Sequence, residues 1–169
     1  MTLTKYRNSM IVIILSLSIG LCAGGLLISK PDVSFDLSDV FPESISASAI
    51  KDYLLPLCRT AVLESLLIYI SGFTFHPNII CIPILILRGS ASITAIRTFG
   101  LTGHSAAIII SYIIVTFLLS IQTLFAVNNS NEKTKNINKT YFHYTYSFLM
   151  INGAIITVKS IPYLILSKI

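Results

Sequence analysis

The sequence is poor in charged residues. Only 11% of its 169 residues are Asp, Glu, Lys or Arg, whereas an average soluble domain carries about a quarter. Just seven of them are acidic, and 54% of the chain is hydrophobic. The solvated surface of a soluble domain needs more charged residues than these. The composition therefore argues against a soluble domain.

The sequence also lacks the short motifs of common enzymes. It contains no G-x-S-x-G, H-E-x-x-H, Walker or G-x-G-x-x-G pattern. Its three cysteines form no C-x-x-C pair, and its three histidines are far apart, which argues against a metal or redox site. The twelve basic residues form no cluster typical of a nucleic-acid surface. We therefore expect a protein that is not an enzyme, with no cofactor, no metal and no nucleic-acid partner.

What the sequence does contain is long apolar blocks. A segment of about 20 apolar residues spans the roughly 30 Å of hydrocarbon in a bilayer, and its backbone must form its hydrogen bonds internally, as a helix does. The sequence predicts an all-α, polytopic helical bundle of four to five membrane segments, forming one membrane domain over residues 1–169. The predicted spans are about 10–29, 61–87, 103–127 and 143–166.

The second block contains Pro77 and Pro83. Proline removes a backbone donor and clashes with the preceding turn, so the block is either one kinked helix or two shorter segments divided at Pro77. Residues 90–102 are rich in Ser, Thr and Ala. They are too polar to face lipid, which predicts a re-entrant or protein-covered helix.

Two hydrophilic stretches separate the blocks and bear on orientation. Residues 30–60 are acidic and 128–140 form a predicted polar loop. Because Lys5 and Arg7 precede the first block, we expect a cytoplasmic N-terminus and an external 30–60 segment. The first block also has features of a cleaved signal peptide, although its length favours an uncleaved helix. Four spans put the C-terminus in the cytoplasm, and five put it outside.

Small residues recur at four-residue spacing in the first and third spans. Such faces let helices approach closely, although the spacing also arises by chance. The candidate helix-packing residues are Ser16, Gly20, Gly24, Gly103, Ala107 and Ser111.

The candidate functional polar residues are Glu64, Arg88 with the adjacent Gly89, and Arg97. The ionisable ones are candidates because charge in lipid is costly. Glu64 is interpreted as lying at headgroup level beside Arg59, with a proton relay or cation site as the alternative. Arg88 and Arg97 are interpreted as membrane-edge anchors, or as partners of lipid phosphate or another protein. Lys159 is expected to extend its ammonium group to water. A run of aromatic residues at 141–146 predicts an interfacial girdle.

The order of residues around Arg88-Gly89 resembles the stage II sporulation protein M family. In that family an Arg-Gly dipeptide ends a Pro-containing apolar helix and leads into a small-residue segment. Here Pro83 to Gly89 and the following residues have this order, and Gly100 to Gly103 fits the start of the next span. The resemblance covers about residues 55–127.

This resemblance implies a non-enzymatic scaffold or anchor in the cell membrane. Its partners would be the lipid bilayer and extracytoplasmic peptidoglycan hydrolases or other membrane proteins, within a complex that remodels the cell wall during engulfment of the forespore. The external segment 30–60 is the expected contact surface.

A small transporter or channel subunit is the alternative. The proline-containing second block, Glu64 and the 90–102 segment would line its path, since broken helices and intramembrane polar residues mark such paths. A chain this short would need to form a homo-oligomer to enclose a pore. A membrane protein that confers immunity to a toxin is also compatible with the composition.

Overall fold

The computed structural model describes residues 3–27, 55–99, 103–132 and 137–166. Within these ranges every regular element is an α-helix, which confirms the predicted all-α class for the described part of the chain. The helices are α1 (Leu3–Leu27), α2 (Leu55–Ser71), α3 (Asn78–Phe99), α4 (Gly103–Glu132) and α5 (Ile137–Leu166).

Among the described helices, three are long and apolar enough to cross a membrane. The qualifying stretches are Arg7–Leu26, Asn78–Ile96 and Ala106–Ser130. Large apolar side chains cover the outside of the bundle, among them Leu26, Ile79 and Phe117. Such a surface is costly in water and suited to lipid, so the chain has the character of a membrane protein.

The second apolar block is two helices in the structure. α2 ends at Ser71, α3 begins at Asn78, and residues 72–77 form the turn between them. Pro77 stands just before α3, where its missing N–H leaves no helical hydrogen bond unmade. Its carbonyl accepts from the amide of Cys81 at 3.0 Å. Pro83 lies inside α3.

Several helices extend beyond the predicted spans. α4 continues through the first residues of the predicted 128–140 loop. There the side-chain Nδ2 of Asn129 donates to Gly72 O at 2.9 Å, and the hydroxyl of Ser130 donates to Thr74 O at 2.6 Å. These bonds tie the end of α4 to the α2–α3 turn. Hydropathy measures only the apolar part of a helix, so it misses polar turns that such contacts stabilise.

α4 occupies the centre of the bundle and contacts all four other helices. α1 packs mainly on α3, while α2 lies against α3, α4 and α5. The core between α2, α4 and α5 includes Ile68, Val115, Leu119 and Ile155, all fully buried. Most of the predicted external segment 30–60 lies outside the described residues.

Candidate functional site

Glu64 of the second apolar block and Arg88, which directly follows that block, pair with each other inside the bundle. The Nε of Arg88, on α3, donates to the Oε2 of Glu64, on α2. Arg88 is only 4% exposed and Glu64 25% exposed. Glu64 thus pairs with Arg88 and not with Arg59, whose side chain is exposed. The headgroup-level position of Glu64 and the membrane-edge position of Arg88 stay predictions.

A second buried cation lies near this pair. Lys159, on α5, is 3% exposed, and its Nζ sits 3.8 Å from the centroid of the Tyr112 ring on α4. This geometry is a cation–π contact. The ammonium group is also close enough to Arg88 and Glu64 to interact with both electrostatically. The expected extension of Lys159 to water is thus wrong, because α4 and α5 enclose it.

We call Glu64, Arg88 and Lys159 the charge cluster. Three different helices supply its members: α2, α3 and α5. It holds two cations and one carboxylate, and the two cations are almost fully buried. The sequence marked Glu64 and Arg88 as candidates by their position in apolar blocks. Lys159 was not among the candidates, although a lysine within a predicted span carries the same signal.

Gly89 lets α1 reach α3 beside Arg88. A Cβ added at Gly89 would lie 2.6 Å from Leu17 O and 3.1 Å from the Cα of Gly20. A Cβ added at Gly20 would overlap the backbone of Ile86. The backbones of α1 and α3 are therefore in direct contact next to the charge cluster, and only residues without a side chain fit between them.

The same contact continues one turn along α1. A Cβ at Gly24 would lie 2.8 Å from the Cα of Ser90. Ser16, one turn before Gly20, is buried, and its hydroxyl donates to Val12 O at 2.7 Å. The three candidates on α1 thus form one buried face, and the glycines of that face meet α3.

The helix-packing candidates near the start of α4 differ from one another in burial. Gly103 is the first residue of α4, Ala107 is half-buried, and Ser111 is buried with its hydroxyl donating to Ile108 O at 2.7 Å. Arg97 lies in the last turns of α3, and its side chain is outside the described residues.

Polar side chains bridge the helices on either side of the charge cluster. Ser65 on α2 donates to the Oε1 of Gln122 on α4 at 2.7 Å, and the Nε2 of Gln122 donates to Ser65 O at 2.7 Å. Ser92 and Thr116 share a bond of 3.1 Å between α3 and α4. Gln122 was not among the candidates, although an amide within an apolar block is a detectable signal.

An aromatic cluster joins α2 and α5 near the turn. The rings of Tyr144 and Phe148 stack on Tyr69 with centroids 5.0 and 4.3 Å away, and the Tyr144 hydroxyl donates to Tyr69 O at 2.9 Å. The predicted girdle is therefore split, because Tyr144 is buried between helices while Phe142 and Tyr146 are exposed.

Within the described residues, no three His, Cys, Asp or Glu side chains are grouped as metal ligands. Comparison of the chain with protein-family models, with curated proteins and with solved structures finds no match. The chemistry that the site offers is charge pairing and hydrogen bonding inside an apolar bundle.

Proposed function

We propose that this protein is a non-enzymatic scaffold of the cell membrane that anchors partner proteins there. The observation that carries the proposal is how the bundle uses its buried polar groups. Glu64 pairs with Arg88, and Ser65 pairs with Gln122 through two hydrogen bonds. Polar contacts of this kind hold membrane helices together, which suits a rigid anchor whose working surfaces lie outside the bundle.

The resemblance around Pro83 to Gly89 indicates the cellular process in which the scaffold acts. It favours a role in engulfment during endospore formation, with peptidoglycan hydrolases as partners on the outer side of the membrane. The hydrophilic segment 30–60 joins the first two helices in the sequence. On this proposal that segment is the surface that contacts the partners.

We further propose that each of the five described helices crosses the membrane, with the N-terminus in the cytoplasm and the C-terminus outside. α2 has 17 residues and α5 has 30, which at 1.5 Å per residue correspond to about 25 and 45 Å. The short turn 72–77 between α2 and α3 makes them consecutive crossings.

The test is the location of a fluorescently tagged copy in the native bacterium through starvation, with cell-wall staining of a deletion strain. Enrichment at the engulfing septum and stalled engulfment after deletion are the expected results. A photo-crosslinking residue placed in 30–60 should capture wall hydrolases, while one placed at the exposed, outward-facing Phe117 serves as the control. Uniform membrane staining with normal spores would refute the role in engulfment.

A small transporter or channel subunit that forms a homo-oligomer is the second candidate, favoured by the depth of the charge cluster. Arg88 lies one residue from the middle of the apolar stretch Asn78–Ile96. Ionisable residues at such depth mark ion and substrate paths. In proteoliposomes, Glu64→Gln should abolish proton- or cation-coupled flux if this candidate holds, whereas an anchor should keep its location in the cell.

A further inference from the structure

The charge cluster has more positive than negative charge. Arg88 and Lys159 are both at least 96% buried, and the carboxylate of Glu64 pairs with Arg88. Charges in a low-dielectric interior are retained when they are paired and hydrogen-bonded, and a membrane interior enforces this more strongly. One of the two cations therefore lacks a counter-charge within the cluster.

The donor groups of the two cations show the same imbalance. A guanidinium carries five N–H donors, and Arg88 uses its Nε for Glu64. Its Nη2 is buried and has no hydrogen-bond partner among the described residues. Lys159 faces the ring of Tyr112, not a carboxylate. Arg88 thus retains a buried donor that can bind an anion, and Lys159 adds a second buried positive charge.

The position of the cluster limits what that anion is. Arg88 lies near the middle of its apolar stretch, about 15 Å from either edge of the hydrocarbon. A lipid phosphate group at the membrane surface does not reach this depth. Close packing around the fully buried Arg88 Nη2 favours an anion of one or a few atoms.

Glu64 is the more exposed member of its pair with Arg88. It is 25% exposed, whereas Arg88 is 4% exposed, so an anion that approaches the guanidinium from the side of Glu64 competes with the carboxylate. We propose that a small inorganic anion such as chloride binds at Arg88 and Lys159 in competition with the Glu64 carboxylate. This inference does not depend on the anchor role, and it gives the transporter candidate its substrate class.

The test compares chloride with gluconate, an anion too large for the site, at equal ionic strength. The full chain is purified in a maltoside detergent, which contains no phosphate, and its thermal unfolding is followed. Glu64→Gln removes the competing carboxylate, so its Tm should rise by about 3 °C or more in saturating chloride. The wild-type Tm should rise less, because Glu64 still competes. Arg88→Gln should show no difference between the two anions.

Arg59→Gln is the matched control, because Arg59 lies on α2 with Glu64 but is exposed. Its chloride response should equal that of the wild type. If Arg88→Gln does not fold, Lys159→Met replaces it and should lose most of the response. Equilibrium binding of radioactive chloride to wild type and Glu64→Gln provides a measurement without unfolding.

Three results would overturn the proposal. The first is equal Tm in chloride and gluconate for both wild type and Glu64→Gln. The second is an undiminished chloride response in Arg88→Gln or Lys159→Met, which would place the anion elsewhere. The third is stabilisation by added anionic phospholipid with none by chloride, which would assign the effect to lipid phosphate.

Discussion

Replacing Gly20 by alanine should destabilise the bundle, and the same replacement at Gly153 provides a matched control. Both glycines lie inside helices, where a change to alanine by itself favours the helix by about 0.5–1 kcal/mol. At Gly153 an added Cβ meets no atom within 4 Å. This variant should therefore keep the whole gain and be slightly more stable than the wild type.

At Gly20 the added Cβ overlaps the backbone carbonyl of Ile86. A backbone cannot rotate away as a flexible side chain can, so α1 has to move off α3. Overpacking of this kind costs about 1–3 kcal/mol. Because the helix-propensity gain is common to both variants, the difference between their free energies of unfolding isolates this cost.

The assay is unfolding in mixed micelles, by titration with a denaturing detergent and by heat. For a chain of this length each 1 kcal/mol shifts Tm by about 2–4 °C, so Gly20→Ala should melt about 2–12 °C below Gly153→Ala. Equal stability of the two variants would refute the reasoning, since it would mean that α1 and α3 are not in backbone contact at Gly20.

Three further predictions concern buried polar groups. Gln122→Leu should cost about 1 kcal/mol. A double-mutant cycle with Ser65→Ala, which removes only the hydroxyl bond to Gln122 Oε1, should give a favourable coupling energy, and an additive pair would contradict that bond. Tyr144→Phe should lower the free energy of unfolding by about 1 kcal/mol, because it removes the hydrogen bond to the α2 backbone. Tyr146→Phe, at an exposed position, should leave the stability unchanged, and equal effects of the two substitutions would count against this bond. Lys159→Met should leave stability in gluconate equal or higher, because it removes a buried cation that has no carboxylate of its own; a loss above about 2 kcal/mol would show that the ammonium is a structural contact.

Much of the helical content was predictable because long apolar blocks have few physical solutions in a bilayer. Because of Pro77, a division into two shorter segments was one of two predicted alternatives for the second block. In the structure, residues 72–77 separate two helices. The extension of α4 through Asn129 was not predictable from hydropathy. It depends on hydrogen bonds to Gly72 and Thr74, which belong to a turn more than fifty residues away in the chain.

The candidate site was predictable as a set of residues but not as an arrangement. Gly20, Gly24, Glu64 and Arg88 stood out because small or charged residues are informative where neighbours are apolar. A helix that is apolar on all sides does not reveal which face is buried. The sequence therefore could not show that Arg88 turns inward to α2, or that the glycines of α1 meet α3 and not another helix.

By itself, the sequence determined that this chain is helical and suited to a membrane, because its composition and block lengths leave few alternatives. It also determined which residues carry charge inside the apolar blocks. Only the tertiary structure decided that Glu64 pairs with Arg88 and not with Arg59, and that Lys159 turns to Tyr112 and not to water. The physical reason is that a charge in an apolar bundle is stabilised by whichever helix lies beside it. Which helices lie side by side is set by packing across the whole bundle, and the local sequence does not encode that packing.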